Sequence, residues 1–253
     1  MTLLVDLGNS RIKWASSHGK TIKFPGSKKH VGQDLGVVLD LVWGKKKTPS
    51  HVYVANVAGE SNQQLLVAWA EKNWHLSPTF IQSSAEQAGI RNQYVDPSRL
   101  GVDRWMAMIE AHRKVKGPCC IVDCGTAITI DAIDQEGQHL GGLIFPGLQT
   151  MRQSLIEGTA AIRDLSVPGV EASLLARDTE GAVIGGTLYA AIATIDRVML
   201  DISAQVPGKM NYLITGGDAK LLLPLLHADF HYDQDLVLHG LNVVVNSLLG
   251  EKQ

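Results

Sequence analysis

Apolar positions along this chain fall into two series of elements with similar order. Short apolar runs at residues 2–7 and 11–16 flank the tight Gly8-Asn9 turn and predict a hairpin, with a third strand at 21–25. Leu35, Val38, Leu39 and Val42 recur at helical spacing and predict a helix over 33–43. A strand at 51–55, an amphipathic helix at 60–73 and a short strand at Phe80-Ile81 follow. Pro97 and Ser98 precede a helix over 101–115 with Trp105, Met108, Ile109 and His112 on one face. Gly117-Pro118 ends that helix and marks the expected boundary between domains at 1–117 and 118–253. The second series has strands at 119–124, 127–133 and 139–144, a helix after Pro146-Gly147, and a longer helix over 180–204. A strand at 212–215 and a last helix at 239–249 complete it. Three hairpin-linked strands followed by alternating helices and strands, twice over, predict two mixed α/β domains.

Composition narrows the functional classes. Hydrophobic residues make up 45% of the 253 positions and charged residues 19%, as in a globular protein with a substantial core. A net charge of −2 gives no nucleic-acid footprint, and the basic run Lys45-Lys46-Lys47 reads as a solvated turn. No secretory signal is expected, because Asp6 interrupts the first apolar stretch. The uncharged stretch between Glu180 and Asp196 is shorter than the ~20 residues a membrane span needs and reads as a buried helix. Cys119, Cys120 and Cys124 lack the second pair and neighbouring histidine of a zinc site, so buried reduced thiols in a cytoplasmic protein are expected.

Candidate chemistry begins with one pattern written twice. Leu3-Leu4-Val5-Asp6-Leu7-Gly8-Asn9-Ser10 and Cys120-Ile121-Val122-Asp123-Cys124-Gly125-Thr126-Ala127 are both apolar runs ending in aspartate, any residue and glycine. Glycine lets backbone N–H groups crowd against a phosphate, and an aspartate at a strand end suits Mg²⁺, directly or through its waters. A lone Asp-x-Gly at a hairpin is usually just a turn, and neither a Walker loop nor a Rossmann glycine pattern is present. Gly101-Val102-Asp103-Arg104 opens a helix, where Asp103 can take a hydroxyl proton and Arg104 can grip a carboxylate. The plainer alternative is a first-turn aspartate beside an exposed arginine. Gly141-Gly142-Leu143-Ile144-Phe145-Pro146-Gly147 suggests close backbone approach to the facing domain or a ligand. Gly216-Gly217-Asp218-Ala219 is either a nucleoside seat or a plain strand-to-helix turn, and Asp178 before Thr179 reads by default as a helix cap.

Taken in order, these segments resemble the type III pantothenate kinases, a family within the actin, heat-shock ATPase and sugar kinase superfamily. The two aspartate turns are superfamily-wide; Gly101-Val102-Asp103-Arg104 and the Gly141–Gly147 segment are far more family-specific. The resemblance implies an α/β fold of two ribonuclease H-like (actin-like ATPase) domains whose mixed sheets flank a nucleotide cleft. It implies ATP-dependent phosphorylation of pantothenate to 4'-phosphopantothenate, the first step of coenzyme A biosynthesis. Asp6, Leu7, Gly8, Asn9, Ser10, Arg11, Ile12 and Lys13 would wrap the ATP phosphates, with Asp6 near Mg²⁺. Thr126 would touch ATP, Gly216 and Gly217 would seat its nucleoside, and Asp123 would hold the monovalent cation, K⁺ or NH₄⁺. Asp103 would be the general base. Tyr94, Gly101, Val102, Asp103 and Arg104 would line the pantothenate pocket, Arg104 taking the carboxylate. Thr179 would reach pantothenate from the partner subunit of a homodimer. Two departures are mild: Ser10 stands for the commoner Thr, and Ala15 stands where Gly is usual and would alter how closely that hairpin packs.

Two other readings compete. Another superfamily kinase or an exopolyphosphatase-like phosphohydrolase would share the aspartate turns but has no need of Gly101-Val102-Asp103-Arg104. A non-catalytic transcriptional accessory factor should have lost Asp6, Asp103 or Asp123, and all three stand. Nucleic acid and membrane are not expected partners.

Overall fold

The computed structural model describes residues 1–160, 162 and 174–250. β1 (Thr2–Leu7), β2 (Arg11–His18) and β3 (Thr21–Lys29) form the expected antiparallel meander, the third strand running longer than its apolar core. α1 (Leu35–Trp43), β4 (His51–Asn56), α2 (Glu60–Trp74) and β5 (Thr79–Ile81) follow, with β4 and β5 added in parallel. The resulting sheet has the order β3-β2-β1-β4-β5. Next comes a small hairpin of β6 (Glu86–Gln87) and β7 (Ile90–Arg91), turned by Ala88 and Gly89 at φ of 51° and 86°, then α3 (Val102–Lys114). This hairpin is too short to leave a periodicity in the sequence.

The second series repeats the plan. β8 (Cys119–Cys124), β9 (Ala127–Ile133) and β10 (His139–Pro146) are followed by α4 (Leu148–Gly158) and α5 (Thr179–Gln205). β11 (Asn211–Thr215), a one-turn α6 (Ala219–Leu222), β12 (His231–Tyr232) and α7 (Leu236–Gly250) complete the chain. The sheet order, β10-β9-β8-β11-β12, matches that of the first sheet position for position. Two mixed sheets of this kind are the ribonuclease H-like plan that the resemblance implies.

The two compact units are not simply the two halves of the sequence. One contains Met1–Lys116, Glu136–His139 and Asp235–Gln253; the other contains Gly117–Gln135 and Leu140–Gln234. The last helix therefore groups with the first unit and not with the expected 118–253 domain. Its packing shows why. A Cβ placed on Gly240 of α7 would lie 1.9 Å from the Met106 carbonyl oxygen of α3, so the two helices touch backbone to backbone. Asn242 accepts from the Ser17 hydroxyl at 2.6 Å and donates to the Gly19 carbonyl at 2.9 Å, tying α7 to the β2–β3 turn.

Each unit has its own core. In the first, Trp43 sits among Trp14, Trp69 and Trp74 with ring centroids 5.9, 6.0 and 5.4 Å away, while Leu3, Val5, Leu7 and Ile12 supply the sheet side. In the second, Cys120, Val122, Cys124 and Ile214 pack on Leu188, Ile192 and Ile195 of α5. By length and composition α5 passes as a membrane span, but its inward residues belong to this core. The three cysteines are buried and unpaired, and burial raises all three thiols, Cys120 to about 12.

Candidate active site

Asp6 lies one residue from the end of β1, buried, with Lys13 of β2 and Ala55 of β4 as its cross-strand partners. The chain then turns within Gly8–Ser10, where the Gly8 amide donates to the Arg11 carbonyl at 3.0 Å. Leu7 and Ile12 bury their side chains in the core, so these two can face a ligand only through backbone. The Arg11 guanidinium donates to the Ser27 hydroxyl at 3.0 Å. A residue that the sequence did not single out closes the loop. Buried His30 donates from Nε2 to the Gly8 carbonyl at 2.7 Å, and the His30 and Val31 amides donate to the Ser10 carbonyl. Ala15 is fully buried where the β2–β3 register shifts between Trp14 and Ser16, so the departure from glycine coincides with a bulge.

The same unit assembles the Gly101–Arg104 segment. Gly101 caps α3 without a side chain, and a Cβ there would meet the Asp103 carboxylate at 2.7 Å. Glycine thus leaves room for that carboxylate to fold back and accept from the Arg104 amide at 2.8 Å. Arg104 is buried rather than exposed, which removes the plainer alternative. Its Nη1 donates to the Tyr94 hydroxyl at 2.9 Å, joining two residues ten positions apart. Tyr94 is held in turn by Asn92, which accepts from the Tyr94 amide and donates to the Ser84 and Pro97 carbonyls. The Asp96 carboxylate caps the turn at Pro97–Arg99, and the Ser98 hydroxyl and amide lower its pKa.

In the second unit, the carboxyl ends of adjacent parallel strands β8 and β11 bring Asp123, Thr126, Gly216 and Gly217 to one sheet edge. Such ends are where open α/β sheets bind ligands. Asp123 pairs with Thr129 of β9 on one side and Thr215 of β11 on the other. Cross-strand partners point to the same sheet face, giving a hydroxyl–carboxylate–hydroxyl row. The Thr215 hydroxyl is fully buried and has no hydrogen-bond partner among the described residues. A buried orphan oxygen beside a carboxylate fits a hard cation. Gly216, at φ 99°, is obligatory because a Cβ would lie 2.3 Å from the Cys124 carbonyl oxygen. The Asp218 amide donates to that same carbonyl at 3.0 Å, while burial raises the Asp218 carboxyl pKa against the pull of Arg152.

The glycine-rich segment makes one close backbone approach within its own unit. A Cβ on Gly147 would lie 2.1 Å from the Gly125 carbonyl oxygen of its own unit. The Gly147 amide and Thr150 hydroxyl both donate to the Thr126 carbonyl, at 3.0 and 2.6 Å. Helix α4 is thereby mounted on the Asp123 turn. Asp178 does cap α5, accepting from the Gly181 amide at 2.7 Å, and leaves Thr179 exposed in the first turn.

A family model described as type III pantothenate kinase matches residues 2–201. The chain belongs to this family. Among curated type III pantothenate kinases, that of Nitrosococcus oceani is 42% identical over 246 residues, covering 95% of this chain and 92% of its own. That of Hydrogenovibrio crunogenus is 35% identical over 98% of this chain and 100% of its own. Solved structures share the fold at lower identity. A Campylobacter jejuni protein named for the Baf family of transcriptional activators superposes with a TM-score of 0.60 at 21% identity, covering 98% of this chain and 99% of that one. The ethanolamine utilization protein EutJ of Carboxydothermus hydrogenoformans gives 0.54 at 12% identity, covering 96% and 89%. Asp103 and Arg104, in the first turn of α3, lie within the residues that the family model matches.

Proposed function

We propose that this pantothenate kinase transfers the γ-phosphoryl group of ATP to the primary hydroxyl of pantothenate, giving ADP and 4'-phosphopantothenate on the way to coenzyme A. The observation that carries the reading is the buried Arg104 paired with the half-buried Tyr94 beside the oriented Asp103 carboxylate, in a chain of this family. Phosphoryl transfer asks mainly for positioning and charge neutralisation. Arg104 holds the substrate carboxylate, and Asp103 accepts the hydroxyl proton as the new P–O bond forms. Backbone amides of residues 6–13 take the phosphates, Thr126 touches ATP, Gly216 and Gly217 admit the nucleoside, and Thr179 of the partner subunit contacts pantothenate. Asp6 is suited to Mg²⁺, and Asp123 with Thr215 to a monovalent cation; when bound, both ions offset the negative charge of the phosphates.

Purified protein with ATP, Mg²⁺ and pantothenate is expected to release ADP, faster with K⁺ or NH₄⁺ than with Na⁺. No turnover with any cation overturns the kinase reading. Thr215→Val, which keeps the shape and removes the orphan oxygen, is expected to weaken K⁺ activation and the rise in Tm that K⁺ gives the wild type. Unchanged cation dependence would remove Thr215 from the site.

A soluble cytoplasmic homodimer is part of this reading. Leu140, Leu143 and Ile144 expose apolar surface on edge strand β10, and the first two line a groove of about 500 Å³ with Val198, Ile202 and Val206. Exposed apolar edges call for cover. Sedimentation should give roughly twice the 27.3 kDa chain mass, and a monomer at micromolar concentration would refute the dimer.

A further inference from the structure

The turn Glu136–His139 lies outside every motif, yet it groups with the first unit while its chain neighbours on both sides group with the second. Its contacts converge on the segment that carries Tyr94. Gly137, at φ 77°, comes so close to the Gly89 backbone that a Cβ would lie 2.2 Å from its carbonyl oxygen. The Gly137 carbonyl accepts from the Arg91 amide at 2.9 Å. The Gln138 side chain spans the loop, donating to the Arg91 carbonyl at 3.2 Å and to Gln93 Oε1 at 2.8 Å while accepting from Arg91 Nε at 3.1 Å. His139, fully buried, then stacks on Tyr94 with centroids 5.9 Å apart and planes 20° from parallel. The other end of Tyr94 receives the Arg104 guanidinium.

We propose that the Gln138–His139 turn positions the carboxylate end of the pantothenate pocket: His139 fixes the Tyr94 ring, and Tyr94 fixes the plane of the Arg104 guanidinium. The proposal rests on the reading of Arg104 as the carboxylate grip. A guanidinium recognises a carboxylate through two parallel N–H donors, so its plane matters as much as its charge. Tyr94 sets that plane from one side, and without the buried histidine ring behind it the tyrosine can tilt. His139 touches no substrate atom in this account. It is a positioning residue whose effect is confined to acceptors bearing a carboxylate.

The test compares pantothenate with pantothenol, in which a hydroxymethyl group replaces the carboxylate. His139→Ala is expected to raise KM for pantothenate roughly 3- to 10-fold, the scale of a lost aromatic pair, with kcat and KM for ATP near wild type. Its kinetics with pantothenol should stay close to wild type, so selectivity for the carboxylate falls by the same factor. His139→Phe, which retains a flat ring, should restore selectivity, and Gln138→Ala should reproduce part of the loss. If His139→Ala does not fold, His139→Leu keeps the bulk without the stack and serves in its place. A parallel rise in KM for ATP with a lowered Tm, or no rescue by phenylalanine, overturns the proposal. Arg104→Gln separates the two levels. If it abolishes selectivity while His139→Ala leaves it intact, the positioning role alone falls; if it leaves selectivity intact, the carboxylate assignment falls as well.

Discussion

Asp103→Asn is expected to lower kcat by about 10²–10⁴-fold while ATP binds as before. Asparagine matches aspartate in shape, and its side-chain carbonyl can still accept from the Arg104 amide, the bond that orients this group at 2.8 Å. The start of α3 and the buried Arg104 should therefore stay in place. The lost property is basicity, because an amide cannot take up the hydroxyl proton. Steady-state turnover gives kcat, and calorimetric titration with ATP gives the affinity. Full activity in the variant would show that Asp103 is not the base. A matching loss of ATP affinity would show that the substitution disturbs more than proton transfer.

Gly240→Ala carries the largest expected effect on stability, and its sign reverses the rule of propensity. In an isolated helix alanine is favoured over glycine by about 1 kcal/mol. Here the added methyl would sit 1.9 Å from the Met106 carbonyl oxygen and 2.6 Å from its carbon, both backbone atoms of α3. A flexible side chain could swing away, but a helix backbone must move as a body. Overpacking of this kind costs about 1–3 kcal/mol or more, which exceeds the gain in propensity. At about 2–4 °C per kcal/mol for a chain near this size, calorimetry should show a Tm lower by several degrees. Activity should fall too, because α3 carries Asp103 and Arg104 in its first turn. Gly250→Ala, in the last turn of the same helix with no atom of the described residues within 4 Å of the added methyl, is the control. It should leave Tm near wild type. Equal Tm for Gly240→Ala and the control would mean that α3 and α7 do not meet this closely.

Most elements could be read from local pattern because their signals are local. Leu35, Val38 and Leu39 show helical spacing since one face of α1 is buried, and all three are core residues. The hairpin around Gly8-Asn9 was legible because glycine and asparagine suit a tight turn. The β6–β7 hairpin left no such trace, being two residues on each side of a turn that places Ala88 at positive φ. The glycines divide in the same way. That Gly147 marks a close approach could be inferred from its setting, whereas the partner, the Gly125–Thr126 turn, could not. His30, Gln138 and His139 carried no signal, since an isolated polar residue in a loop looks the same whether it is solvated or braces a site.

The sequence by itself determined the two aspartate turns, the Gly101-Val102-Asp103-Arg104 helix start and the repeated strand–helix order, hence the family. These follow from short-range rules: which backbone angles glycine permits, which spacing buries a face, and which side chains suit a helix end. Only the tertiary structure decided that α7 and the Glu136–His139 turn belong with the first unit. It also decided that Arg104 is buried against Tyr94, and that Thr215 sets an orphan hydroxyl beside Asp123. Each of these depends on contacts between residues far apart along the chain, where burial and close packing, not local propensity, choose the partner.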